Sequence, residues 1–229
     1  MARLGLIGLG RWGFNYLRAM VNLPMVSVSA ICGRRHQKEG LNKESQNIFT
    51  DDWRSIIERD DIDGVIIATQ PQSHLEIANY ALTRRMPILV EKPFTLSLRD
   101  AEFLANISDS KRIPCIVGYT HLFASKFQDL TREVGAIGHL RSAETIGLND
   151  GPVRKNVPVL WDWGSHEISM CIKLLGKHHH SAKIIEIHRD LSQKNREKIS
   201  VHAIFGRNIL TKMEFGNIAK KKTRQFTLI

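Results

Sequence analysis

The sequence predicts an α/β chain. A doubly wound parallel sheet occupies residues 1–118, and an α+β domain with an open, mostly antiparallel sheet occupies residues 119–229. Three observations carry this prediction. Short apolar runs alternate with helix-spaced segments from Ala2 to Val117. A glycine turn, Gly8-Leu9-Gly10-Arg11-Trp12-Gly13, follows the first apolar run. After Gly118 the alternation gives way to one helix and a series of strand-like segments separated by Gly, Asn and Lys turns. Parallel strands need crossover helices, whereas antiparallel strands can be joined by short turns, so the change of grammar marks a change of domain.

The elements follow in order. Ala2–Ile7 is a short apolar strand ended by glycine. Arg11–Val21 places Trp12, Tyr16 and Met20 at helical spacing, and Val26–Ile31 is the second strand. Gln37–Ser45 reads as a helix and Ile48–Thr50 as a short third strand. Asp51-Asp52 signals the start of a helix over Trp53–Arg59. Gly64–Ala68 is a buried strand, and Ser73 caps a helix over His74–Arg84. Ile88–Val90 is the fifth strand. A helix from Leu96 to Ile107, capped near Ser97, leads to the last strand of this domain, Cys115–Val117. In the second half Leu140–Ile146 alternates as a half-buried strand does, and Trp161–Leu175 is a helix. Ala182–His188, Ile199–Phe205, Ile209–Phe215 and Arg224–Ile229 are strands, with Gly206-Arg207-Asn208 as a hairpin turn. His178-His179-His180 reads as a turn after Gly176, not as a metal site.

Composition narrows the function classes. Apolar residues make up 42% of 229, enough for one large or two small domains with real cores. No apolar run reaches the roughly 18–20 residues of a membrane span. The N-terminal run carries one basic residue and turn glycines, so it reads as a strand, not a secretion signal, and the expected location is the cytoplasm. Cys32, Cys115 and Cys171 are isolated and sit in apolar contexts, which reads as buried reduced thiols. A net charge of +10 is compatible with nucleic acid, a membrane surface or a small anionic substrate. The basic residues are scattered apart from Lys220-Lys221-Lys222-Thr223-Arg224, and there is no recognition helix or RNA-binding signature. Neither nucleic acid nor membrane is therefore an expected partner.

The glycine turn lies between a strand and a helix, the context a dinucleotide site requires. Gly8 permits the tight turn, Gly10 lets backbone approach a pyrophosphate, and Gly13 lets the helix pack on the strand. The helix that opens with Arg11 and Trp12 offers its first N–H groups to the phosphates. The second strand ends in Cys32-Gly33-Arg34-Arg35, with no carboxylate to repel a phosphate and two guanidiniums to grip one. This predicts NADP in preference to NAD. If both arginines face solvent, either cofactor is tolerated. Thr69, Gln70 and Pro71 end the fourth strand and border the nicotinamide or its ribose, with His74 capping or supporting that loop. Glu91-Lys92-Pro93 follows the fifth strand, where a lysine points its ammonium into the cofactor crevice, and Pro93 fixes that turn as a cis peptide.

Together with Ile66-Ile67-Ala68, Val117-Gly118-Tyr119 and Asp162-Trp163-Gly164-Ser165-His166, these landmarks fall in the order of one family. The chain resembles, over nearly its whole length, the glucose–fructose oxidoreductase / inositol dehydrogenase / rhizopine-catabolism (Gfo/Idh/MocA) family. The resemblance implies an NAD(P)-binding Rossmann domain followed by a domain for substrate and oligomerisation. It implies oxidation or reduction of a secondary alcohol or aldehyde on a sugar, cyclitol or nucleotide-linked sugar. It maps the family's catalytic lysine to Lys92 and its Asp-x-x-x-His pair to Asp162 and His166, while Ser169 replaces an acid the family often has. Family members also run on past the strand in which Gln225-Phe226-Thr227-Leu228-Ile229 stops, which implies a natural short form or a truncated gene. An apolar terminal strand invites pairing, so a homo-oligomer (dimer or tetramer) through the open sheet is expected.

The residue chemistry agrees with that mapping. Asp162 and His166 are i,i+4 on a helix, hence on one face. A carboxylate orients an imidazole and favours its charged form, and a histidine titrating near neutrality suits a hydroxyl proton. Lys92 stabilises charge developing on the reacting oxygen, and Glu91 orients nicotinamide, ribose or Lys92. Plainer readings stand beside these. Asp162 and His166 can be a surface capping pair, His121 a polar residue at the domain junction, and Trp161 and Trp163 either core or sugar-pocket residues. A non-catalytic NAD(P)-binding regulator or sensor is the alternative for the whole chain.

Overall fold

The computed structural model describes residues 1–229 except 152, 155, 177–178 and 193–195, and backbone only at 179–180. The chain forms two compact units, Met1–Gly118 and Tyr119–Ile229.

The first unit holds strands β1 (Ala2–Ile7), β2 (Val26–Cys32), β3 (Phe49–Thr50), β4 (Gly64–Ile67), β5 (Ile88–Val90) and β6 (Cys115–Val117). Between them lie helices α1 (Arg11–Val21), α2 (Lys43–Asn47), α3 (Trp53–Ile57), α4 (His74–Thr83) and α5 (Leu98–Lys111). All pairings are parallel, in the order β3-β2-β1-β4-β5-β6. Successive strand residues face opposite sides of the sheet. Leu6, Ile31 and Ile66 pack with Leu17 and Met20 of α1. Ile7, Val65 and Ile67 pack with Ile56 of α3, Ile77 and Leu82 of α4 and Leu104 of α5. Helices on both faces explain why all four residues of β4 are buried. The strand order reverses direction between β1 and β4, so the carboxyl ends of these strands frame the crevice where such sheets bind ligands.

Two local expectations fail here. The segment read as one helix, Gln37–Ser45, is a 3-10 turn (Arg35–Gly40) followed by α2. Leu41 between them is extended and buries its side chain, and Asn42 caps α2 by accepting from Ser45 N at 2.9 Å. Ser73 does not cap α4. It closes a 3-10 turn, Pro71–Ser73, and its hydroxyl lies 2.8 Å from Thr69 Oγ1. Asp52 and Ser97 do cap α3 and α5, accepting from Arg54 N at 2.9 Å and Asp100 N at 3.2 Å.

The second unit is built on β7 (Ser142–Leu148), β8 (His179–Arg189), β9 (Glu197–Phe205), β10 (Ile209–Gly216) and β11 (Thr223–Leu228). Their order is β11-β7-β10-β9-β8, with β7 and β10 parallel and the other pairings antiparallel. Gly206-Arg207-Asn208 joins β9 to β10, with φ at +50° for Gly206 and +64° for Asn208. Alternate residues of these strands, including Val201, Phe205, Met213 and Phe215, form the second core with Cys171 and Leu175. Among the described residues this unit has two α-helices, α6 (Ser125–Glu133) and α7 (Ser165–Leu175). The sequence pattern missed α6, whose only buried residue is Phe127. It also read Trp161–Leu175 as one α-helix, but Leu160–Gly164 is a wider π turn. His178 lies outside the described residues, whereas His179 and His180 begin β8 and do not close a turn. Among the described residues no helix is long and apolar enough to cross a membrane.

Candidate active site

The glycine turn after β1 packs against the end of β4. Gly8 has φ +105°, and a Cβ there would lie 2.7 Å from the Ala68 carbonyl carbon. A Cβ at Gly13 would overlap the Gly8 carbonyl oxygen, whereas one at Gly10 would meet nothing within 4 Å. Gly8 and Gly13 are thus required by packing, and Gly10 leaves backbone open to a ligand. The N-terminus of α1 has no side-chain cap and no acidic residue in its first turn, so its positive end is available to an anion. Arg11 there is exposed and Trp12 half-buried, its ring 6.5 Å from that of Tyr16.

Arg34 and Arg35 follow β2 and are both exposed. The expectation that this corner holds no carboxylate is corrected. β3 pairs with β2 through Thr50 and Cys32 and brings Asp51 alongside, where Arg35 Nε meets Asp51 Oδ2 at 2.5 Å. That hydrogen bond holds the Asp51 carboxyl below the usual carboxylate range. The pair is on the surface, with the Arg35 side chain 88% exposed, so an incoming phosphate can compete for the guanidinium. Gln37, which carries no sequence signal, staples this corner to the glycine turn. Its Nε2 donates to Leu9 O and its Oε1 accepts from Arg34 N, both at 2.8 Å.

The turns after β4 and β5 are tied together. His74 is fully buried, with Nδ1 2.9 Å from Pro93 O and Nε2 3.2 Å from Thr69 O. It therefore supports the Thr69-Gln70-Pro71 turn and the Lys92-Pro93 turn at once, and the Lys92–Pro93 peptide is cis. Glu91 and Lys92 are both buried. Glu91 accepts from the Tyr16 hydroxyl at 2.6 Å, and burial, together with that carboxylate, raises the phenol above its ordinary range. A Cβ at Gly118 would stand 3.0 Å from the Tyr16 hydroxyl and 3.2 Å from Glu91 Oε1, which explains a glycine at the end of β6. The place of Tyr16 in the helical stripe of α1 gives no sign of this partner.

In the second unit Asp162 lies in the π turn and His166 in the first turn of α7, and both are buried. Asp162 Oδ2 pairs with Arg154 Nε at 3.2 Å, a partner the sequence did not point to. The buried placement removes the surface capping reading for this pair. Ser169, in place of an acid, donates to His166 O at 2.8 Å. His121 stacks on His166, their ring centroids 4.0 Å apart. The two tryptophans separate in role. Trp163 packs against the second core, and Trp161 is 38% exposed. Glu167 is buried against Thr145 Oγ1, with Arg224 beside it, and burial raises its carboxyl above the usual range. Arg224 is thereby drawn out of the basic block. Cys32 and Cys171 are buried, but Cys115 is only half-buried. Among the described residues no group of three or more His, Cys, Asp or Glu side chains is placed to hold a metal ion.

A family model described as an oxidoreductase family with an NAD-binding Rossmann fold matches residues 2–119. The rhizopine catabolism protein MocA of Rhizobium meliloti is 26% identical over 183 residues, covering 76% of this chain and 57% of that protein. The 4-carboxy-2-hydroxymuconate-6-semialdehyde dehydrogenase of Sphingobium sp. is 29% identical over 136 residues, covering 58% of this chain and 43% of that protein. The chain thus spans about half the length of these curated relatives. A solved protein from Magnetospirillum magnetotacticum MS-1, described as an oxidoreductase, is 30% identical with a TM-score of 0.86, covering 99% of this chain and 74% of that one.

Proposed function

Because the chain belongs to the Gfo/Idh/MocA oxidoreductase family, with its NAD-binding Rossmann fold, we propose that it is an NADP-preferring enzyme acting on a secondary alcohol or carbonyl of a sugar, cyclitol or nucleotide-linked sugar. A bound nicotinamide cofactor would supply the acceptor or donor of hydride. Gly10, with open space beside it, and the uncapped start of α1 fit a pyrophosphate, and Arg34 and Arg35 fit a 2′-phosphate. Lys92 stabilises negative charge on the reacting oxygen. His166 takes the hydroxyl proton, or returns it in the reverse direction, and Asp162 orients that imidazole.

The observation that carries this reading is the construction around Lys92. Tyr16 holds Glu91, His74 holds the carbonyl of Pro93, and the lysine between them follows β5 beside the strand-order switch. A cofactor-binding sensor that does no chemistry is the second reading, and the ion pair that engages Asp162 with Arg154 favours it.

Parallel calorimetric titrations with NADPH and NADH test the proposal. Tighter binding of NADPH is the expected outcome. Equal affinities would remove the NADP preference, and binding of neither would sink the enzyme reading. If a cofactor binds, the two readings part on whether any sugar or cyclitol is turned over.

A further inference from the structure

His166 shares its environment with a second imidazole. The ring of His121, from the 3-10 turn Thr120–Phe123, lies against it with centroids 4.0 Å apart and planes inclined by 24°. The Tyr119 ring meets the same imidazole edge to face, with centroids 6.5 Å apart, and burial raises its phenol above the ordinary range. In such a stack the ring nitrogens point along the ring planes, so the faces interact through charge. Two imidazolium ions at this separation repel, and the second proton is accepted only at lower pH.

The other charged groups decide which ring yields. Asp162, on the turn before α7, is engaged by Arg154, whose Nε lies 3.2 Å from its Oδ2 and offsets its charge. Glu167, next along α7, is engaged by Thr145 of β7 with Arg224 of β11 beside it. The side chains that β9 and β10 bury, Ile199, Val201, Ala203, Phe205, Thr211, Met213 and Phe215, do not titrate. His166 is 8% exposed, whereas His121 is half-buried, so desolvation disfavours a proton on His166 more than on His121.

We propose that His121 sets the proton affinity of His166. It accepts the first proton of the stacked pair, and its charge then keeps His166 neutral to lower pH than His166 would reach without that neighbour. His121 is thus a positioning residue that acts through His166. This rests on His166 being the acid–base residue of the proposed function, but the coupling itself needs neither substrate nor cofactor to be observed.

The test is a pH titration of the histidine ring resonances of the isotope-labelled full chain, comparing wild type with His121→Phe, which keeps a ring but no charge, and His121→Asn. His166 is assigned as the resonance lost in His166→Asn. The expected result is that His166 titrates about one pH unit higher in either His121 variant than in wild type. His121, which takes its proton while His166 is still neutral, keeps its midpoint in His166→Asn. Whichever His121 variant retains the native backbone spectrum gives the reading. Superimposable His166 curves in wild type and that variant would overturn the inference. A shifted His166 in a protein that binds no nicotinamide would overturn the proposed function and leave the coupling intact. With a substrate in hand, the acid limb of the pH–rate profile moves upward with the same variants, a change that a purely structural role for His121 would not produce.

Discussion

Gly10 and Gly13 sit three residues apart in one turn and answer to different demands. An added Cβ meets nothing at Gly10 and overlaps the Gly8 carbonyl at Gly13. Gly10→Ala is therefore expected to fold with an unchanged melting temperature and to lose dinucleotide affinity by tenfold or more, read by calorimetry. Gly13→Ala is expected to lose about 1–3 kcal/mol of stability, the usual cost of overpacking. Lys92→Ala and His166→Ala should each lower turnover roughly a hundredfold or more, a common acid–base contribution, and near-wild-type rates for either would remove that residue from the mechanism. The thiols offer a pH test. Burial, with Asp52 and Asp51 for Cys32 and Asp109 for Cys115, raises both thiols to about 11. A folded thiol that ionises later than the unfolded one contributes stability that is complete below about pH 9 and is lost as pH climbs toward about 11. Thiolate absorbance of the native protein should accordingly rise only near that upper pH, and a rise near pH 8–9 from these residues would contradict the burial.

At the scale of elements, β7, α7 and β11 meet at one polar cluster around the buried Glu167. Thr145 bonds Glu167, and a Cβ at Gly147 would lie 2.9 Å from Arg224 Nη1 and overlap the Glu167 carboxylate. Removing the hydroxyl leaves a buried carboxyl short of a partner. Thr145→Val is expected to cost about 1–3 kcal/mol in urea unfolding although it conserves volume. A change within a few tenths of a kcal/mol would mean that Arg224 alone satisfies Glu167. Elements whose cause is local were legible from the sequence. β1, α1, β5 and β6 match their predicted bounds because an apolar run, a glycine or a helical stripe lies within each. α6 escaped because a short polar helix with one buried residue leaves little periodic signal. The single helix expected over Gln37–Ser45 failed because burial of Leu41 outweighs helix continuity.

At the scale of the whole molecule, each unit has its own core. Two apolar clusters line the faces of the first sheet, and a third lies on the second sheet. A fragment of residues 1–118 is therefore expected to unfold in one cooperative transition and to bind NADPH, checked by circular dichroism and calorimetry. A molten fragment would show that the second unit is needed to complete the first. We also propose a homo-oligomer through the sheet face opposite α7, where Leu210, 44% exposed, pairs with Ile204 and shares the face with Lys212 and Glu214. Light scattering at micromolar concentration tests this, and a monomer would refute it.

By itself the sequence determined the α/β class, the glycine turn, the place of Lys92 after its strand and the family resemblance. Each of these depends on residues that are neighbours in the chain, where periodicity and turn chemistry operate. The tertiary structure alone decided the partners. Gln37 meets Leu9 across 28 residues and Tyr16 meets Glu91 across 75, and Asp51 reaches Arg35 only because β3 lies beside β2. Arg154 on Asp162 and His121 on His166 belong to the same kind. A polar side chain carries no mark of its partner along the chain. Which donor meets which acceptor is settled by strand order and helix packing, after the apolar pattern has brought distant segments together.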